Sequence, residues 1–365
     1  MSAAPSAAPA ATRHQLLPHG RRGAQVTVAA GLALLLGAAG WHWAPQAFLA
    51  AYLAAWWCWL GWVLGGLAHV WLHSLTGGDW GEAIRAPLLA RGRLLWRHAL
   101  LFAPVLLGMR TLYPWAAPDA GAWAGVLSTP QFKLAWLTPG GFAARSVACL
   151  LLWSALGWCS SRPSLTRARG YAAAALPLFG LSVSVAAVDW IMSLLPLWYS
   201  SVFGMLAGTV QMLGGMALAI AGCVRRTPAP QLLGDLGNLL LMYVLGFAYL
   251  EYMQFLIIWA GNLPHEITWY LRRDTAAGRT LAVLLALLLF ALPVLVLLQR
   301  RLKRSPRALG ALAWLVLAMT LVHAWWLVLP SLTLPWRDWC IGLPSGTLAL
   351  AATVWVSQGG GAGDG

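Results

Sequence analysis

Glu251 lies within an apolar run that extends from Leu239 to Trp259 and closes on Gly261-Asn262-Leu263-Pro264-His265-Glu266. A carboxylate at that depth in a bilayer-spanning helix costs roughly 3 kcal/mol, so as a rule it faces a partner, water or a pathway. Helical positions 243, 247, 251, 254 and 258 share one face, which aligns Tyr243, Glu251 and Gln254. Such a stripe can pass protons or hydrogen-bond a quinone head group; it can equally be an interhelical cluster that fixes packing. Asp189, beside Trp190 at the outer end of the fifth apolar segment, is either a second relay residue or a cap for the turn at Pro196. His323, in the outer half of the ninth segment, is a third titratable group. Glu251 and His323 are expected to approach each other, directly or through water. His265, Glu266, Arg272 and Arg273 form an outer-loop cluster, for which solvated ion pairs are the expectation.

Composition says what must hold these groups. Sixty percent of the 365 residues are hydrophobic, 9% are charged, and the mean hydropathy is +0.70. That balance excludes an ordinary water-soluble domain and indicates a polytopic membrane protein. Ten segments reach the roughly 20 apolar residues a span requires: near 26–43, 47–73, 94–112, 142–159, 171–192, 199–224, 236–260, 279–299, 308–329 and 340–357. Residues 1–25, rich in Ala, Pro and Arg, are expected to be a disordered cytoplasmic leader; 26–357 form the transmembrane domain and 358–365 a flexible tail. A retained first span is preferred over a cleaved signal peptide, because the apolar stretch is long and nine more follow.

With the N-terminus inside, 17 of the 24 Lys and Arg fall on the cytoplasmic side, in clusters at 13–22, 85–97, 162–169, 225–226 and 300–307. The positive-inside rule thus places both termini in the cytoplasm. It also accounts for the net charge of +14. No basic helix interleaved with aromatics points to nucleic acid.

Metal ligation is not written into the chain. Cys58, Cys149, Cys159, Cys223 and Cys340 form no Cys-x-x-Cys pair, so no iron–sulfur, zinc or covalent haem signature is present. His69, His73 and His98 lie near the inner ends of the second and third spans, where interfacial hydrogen bonding is favoured over axial ligation of haem b. Most of the 24 Trp, among them Trp190, Trp198 and Trp269, fall near span ends and are expected in the headgroup region. Trp56, Trp57, Trp59 and Trp62 are deeper, expected between helices or against lipid.

Four blocks carry a family resemblance. They are His73-Ser74-Leu75-Thr76-Gly77-Gly78-Asp79-Trp80-Gly81; Lys133-x-x-Trp136-Leu137-Thr138-Pro139 with Phe142 and Arg145; Asp189-Trp190-Ile191-Met192-Ser193-Leu194 through Ser201; and Ala248-Tyr249 through Gln254, Gly261-Asn262-Leu263-Pro264 and Trp269-Tyr270-Leu271-Arg272-Arg273. The chain resembles the NrfD-like, or polysulfide-reductase-membrane-subunit-like, proteins. Within these it is most similar to the quinone-binding subunit 2 of bacterial alternative complex III, a quinol:cytochrome c oxidoreductase. The resemblance implies an all-α integral membrane fold of about ten helices, with helices two to five and six to nine as four-helix bundles flanked by the first and last. It implies a bacterial inner-membrane location, and a multihaem cytochrome c subunit, an iron–sulfur subunit and a sister ten-helix membrane subunit as partners. It further implies a subunit with no metal or redox centre of its own, a proton path and a quinone or quinol cavity. Leu197, His265, Leu289, Thr320 and His323 depart from the family pattern, and Glu251 stands where a small neutral residue is usual. A purely structural anchor and an independent secondary transporter are the alternative functions.

Overall fold

The computed structural model describes residues 19–117, 131–226 and 228–359. Positions 1–18 of the expected leader and 360–365 of the expected tail lie outside the described residues, and the first helix already begins at His19. Among the described residues there is no strand, and nine helices are long and apolar enough to cross a membrane. The chain is an all-α, multi-pass membrane protein: in hydrocarbon every backbone N–H and C=O needs an internal partner, which a helix supplies from within one segment.

In chain order the helices are α1 (His19–Trp43), α2 (Pro45–Thr76), α3 (Asp79–Gly92), the short α4 (Leu95–Leu100), α5 (Ala103–Leu107) and α6 (Met109–Leu112), then α7 (Gln131–Trp136), α8 (Pro139–Ser160), α9 (Arg169–Trp190), α10 (Phe203–Cys223), α11 (Pro230–Gly261), α12 (Pro264–Leu271), α13 (Ala276–Leu285), α14 (Leu292–Leu298), α15 (Arg300–Lys303), α16 (Pro306–Val328) and α17 (Trp336–Gly359). A π turn, Ala286–Ala291, joins α13 to α14 into one continuous span. Local sequence sets the ends. Thr138, Thr275 and Ser305 cap α8, α13 and α16 with their hydroxyls. Asn262, at φ 47, closes α11 in the left-handed conformation, and Pro264 starts α12 two residues on.

The central element is α2, which is almost wholly buried and packs against α9, α10, α16 and α17. Small residues allow this. Gly65 faces the Gln211 carbonyl so closely that a Cβ would lie 1.9 Å from it, and a Cβ on Gly215 would lie 2.3 Å from the Gly66 nitrogen. Backbones of α2 and α10 therefore touch where lipid-borne helices gain most from close packing.

The third expected span, 94–112, is not one helix. It is broken into α4, α5 and α6, with Pro104 near the first break and Gly108 at the second. A proline lacks the N–H that would bond the carbonyl one turn back. Side chains of α2 bond carbonyls beside the break: the Tyr52 hydroxyl donates to the Leu101 carbonyl at 2.7 Å, and Trp56 Nε1 donates to the His98 carbonyl at 2.9 Å. The segment runs antiparallel to α2, since Gly92 meets Leu67, His98 meets Trp56 and Gly108 meets Leu49. Tyr52→Phe is expected to lower the unfolding free energy by about 1 kcal/mol. SDS-titrated unfolding of the purified protein measures this.

The tryptophans also depart from expectation. Trp190, Trp198 and Trp269 are fully buried rather than interfacial. Trp190 packs edge-on against Trp56, Trp57 and Trp153 and donates to Ser146 Oγ at 2.8 Å, whereas Trp198 stacks on Trp269 with ring centroids 4.1 Å apart. Sequence position marks a span end, but the adjoining segments fold back over it and bury the indole. Trp56 and Trp57 pack between helices.

Candidate functional site

Glu251 sits on α11 about 15 Å before its C-terminal end, by the 1.5 Å rise per residue. Its Oε1 lies 2.8 Å from Nε2 of His323 on α16. The two acid–base groups face different surroundings. His323 is fully buried, with Phe247 edge-on to its ring at 5.2 Å, while Glu251 keeps 28% of its side chain exposed. That exposed part forms the wall of a cleft of ≈ 550 Å³ between α11, α12, the α13 span and α16. Phe247, Tyr252, Phe290, Trp269, Tyr270 and Trp326 line it together with the pair.

Because Tyr249, Tyr252 and Phe255 are exposed along the same α11 face, the cleft opens sideways on the apolar surface of the helix array. Opposite Glu251, the π turn departs from the regular α-helical ladder and contributes Ala286 and Phe290 to the wall. Single π turns widen a helix locally and recur at functional sites.

Behind the aromatic floor lies Arg273. Its guanidinium carbon is 3.2 Å from the Trp269 ring centroid, and its nitrogens donate to the carbonyls of Trp269, Trp326 and Leu327 at 2.8–3.1 Å. Burial pulls this guanidinium down to about 9, and the charge of Glu251 opposes the pull. Arg273 thus remains a cation at neutral pH and forms no ion pair with a carboxylate among the described residues. It adds a positive potential behind the cleft.

The other sequence candidates are dispersed. Tyr243, two turns before Glu251, meets the ring of His69 on α2 at 5.1 Å. Gln254 accepts from Ser200 Oγ at 3.1 Å. The α11 stripe is therefore one face, yet it meets three different neighbours. Asp189 belongs to a separate cluster: Arg145 Nε reaches Oδ2 at 2.6 Å, and Trp136 Nε1 and a second Arg145 nitrogen reach Oδ1 at 2.7 and 3.1 Å. With three donors engaged, this carboxylate ties α7, α8 and α9 together, and the Pro196 carbonyl is held by Lys133 instead.

The outer-loop residues do not form an ion-pair cluster. His265 lies 3.3 Å from the Tyr199 hydroxyl, Arg272 donates to Ser331 O and Thr333 Oγ1, Arg273 is buried as described, and Glu266 has no ion pair among the described residues. Helix α12 is the cause, because it turns Arg273 inward while leaving Glu266 on the outside.

Sequence reading missed the aromatic walls and Gln211. The former come from four separate elements, so no local spacing reveals them. Gln211 carried a visible signal, being the one amide side chain in the apolar α10.

Among the described residues no group of three or more His, Cys, Asp or Glu is placed to hold a metal ion. The geometry places a carboxyl and an imidazole within hydrogen-bonding distance at the wall of an open aromatic cleft, an arrangement that can share a proton. No protein-family model matches the sequence, and no curated protein matches it.

Proposed function

We propose that this chain is the membrane subunit of a respiratory quinol:cytochrome c oxidoreductase of the alternative complex III type, in a bacterial inner membrane. Its partners are a multihaem cytochrome c subunit, an iron–sulfur subunit and a sister ten-helix membrane subunit. The broken 94–112 segment counts as a tenth crossing in this reading. Both termini are then cytoplasmic, and crossings two to five and six to nine make the two four-helix groups. The supporting observation is the Glu251–His323 pair in an aromatic cleft open to the bilayer side.

Quinol oxidation releases two electrons and two protons. Electrons leave to metal centres in partner subunits, and Glu251 accepts a proton, which the bonded His323 imidazole shares. The aromatic walls of Phe247, Tyr252 and Trp326 suit a flat ring with an isoprenoid tail, and Arg273 favours the anionic form that precedes oxidation.

The test is purification from native membranes followed by quinol:cytochrome c reductase and proton-release assays. The chain should co-purify with c-type haem and iron–sulfur subunits, and Glu251→Gln should lower the quinol-dependent rate about a hundredfold. A chain that purifies alone, or a Glu251→Gln complex with unchanged quinol oxidation and proton release, overturns the reading.

A further inference from the structure

His323 has a second face. Its Nδ1 is buried without a partner among the described residues, on the side of the ring away from Glu251. His323 also lines a small cavity of ≈ 20 Å³ between α2, α10 and α16, together with Thr320, Gln211, Cys58, Gly61 and Trp62 among others. Gln211, 3% exposed, also borders it, and neither its Oε1 nor its Nε2 has a partner. Thr320 Oγ1 is occupied, accepting from Trp62 Nε1 at 3.0 Å and donating to the Leu317 carbonyl at 2.8 Å.

Two fully buried polar side chains with open hydrogen-bonding capacity, facing a space of that size, are the conditions under which one water is bound. The other polar walls, Cys58, Trp62 and Thr320, bond one another, and Phe203, Leu206 and Leu327 are apolar.

We propose that one water bound between His323 Nδ1 and the Gln211 amide holds His323 as the proton acceptor for Glu251, with Gln211 as its positioning residue. The water accepts from Nδ1–H and donates to Gln211 Oε1. This fixes the tautomer in which Nε2 carries a lone pair toward Glu251, so the 2.8 Å contact holds one shared proton, on the carboxyl or on the imidazole. A proton arriving at Glu251 passes to Nε2; the imidazolium so formed keeps its Nδ1–H on the water, and the proton returns to Glu251 over the same contact. Proton count is conserved at each step.

The charged and titratable groups around His323 are Glu251, Tyr249 and Tyr252 from α11, Tyr270 from α12, Arg273 from the turn that follows, and Cys58 from α2. Among the described residues only Glu251 bonds the ring. The inference rests on the cleft being the site of proton exchange, but its test does not depend on partner subunits or quinol.

Infrared difference spectra of the purified chain in nanodiscs, recorded between two pH values in ordinary and ¹⁸O-labelled water, provide that test. The Glu251 carboxyl band is identified by its loss in Glu251→Gln. A water O–H band sensitive to ¹⁸O is expected in the native protein. Gln211→Met, which keeps the side-chain length, should abolish that band and lower the proton affinity of the Glu251–His323 pair about tenfold, as the imidazolium loses its hydrogen-bonded support. Gln211→Asn, which restores an amide, should recover part of both. Persistence of the water band and of the Glu251 titration midpoint in Gln211→Met overturns the proposal, whatever the quinol assay shows.

Discussion

Asp189→Ala is expected to cost about 3–5 kcal/mol of unfolding free energy, because it strands the Arg145 guanidinium within the helix array. Asp189 is 1% exposed, and its carboxylate accepts from Arg145 twice and from Trp136 once. Arg145 also lies over the Trp136 ring at 4.1 Å and donates to the Trp136 carbonyl. Removal of the carboxylate thus loosens the short α7 and the start of α8 together. The pair itself contributes less than its removal costs, since desolvation consumes much of the attraction. A double variant, Arg145→Met with Asp189→Leu, should therefore recover most of the loss. SDS-titrated unfolding of the two singles and the double gives the coupling energy. Equal destabilisation by the double and the Asp189 single would mean that the guanidinium is not the source of the cost.

Gly215→Ala is the second large effect, at about 3 kcal/mol. One methyl group there would sit 2.3 Å from the Gly66 nitrogen and 2.4 Å from the Gly65 carbonyl carbon. The atoms in the way are backbone, so no rotamer change relieves them, and α2 and α10 must move apart. Gly208, two turns earlier on α10, is the internal control, with nothing within 4 Å of an added Cβ. Gly208→Ala should be neutral or stabilise by up to about 1 kcal/mol through helix propensity. Thermal unfolding in detergent distinguishes them; similar midpoints for the two variants would sink the argument.

The fold class was legible because the bilayer enforces it. Long apolar runs with basic clusters between them leave no choice but helices, and nine of the ten expected spans form as such among the described residues. The tenth failed as a helix for a reason the sequence does contain, Pro104 and Gly108 within one apolar stretch. What the sequence conceals is the bonding from α2, since Tyr52 and Trp56 lie more than forty positions away.

At the site, a single expensive charge was enough to single out Glu251, and the approach of His323 followed from their shared place in the C-terminal halves of two helices. Depth does not determine rotation about the helix axis. For that reason Tyr243, Gln254 and Asp189, equally conspicuous as polar groups in apolar runs, meet other partners. Arg273 shows the same limit: a loop arginine reads as solvated until α12 turns it under Trp269.

A segment whose carbonyls are bonded by another helix is less stable alone in lipid, and the order of synthesis matters to it. Residues 94–112 leave the ribosome after α2, so Tyr52 and Trp56 are already in the membrane when the Leu101 and His98 carbonyls arrive. The earlier helix thus presents the donors before the carbonyls that need them. A circular permutant that delivers 94–112 before α2 should consequently insert with the segment left outside the bilayer, although its amino-acid composition is unchanged.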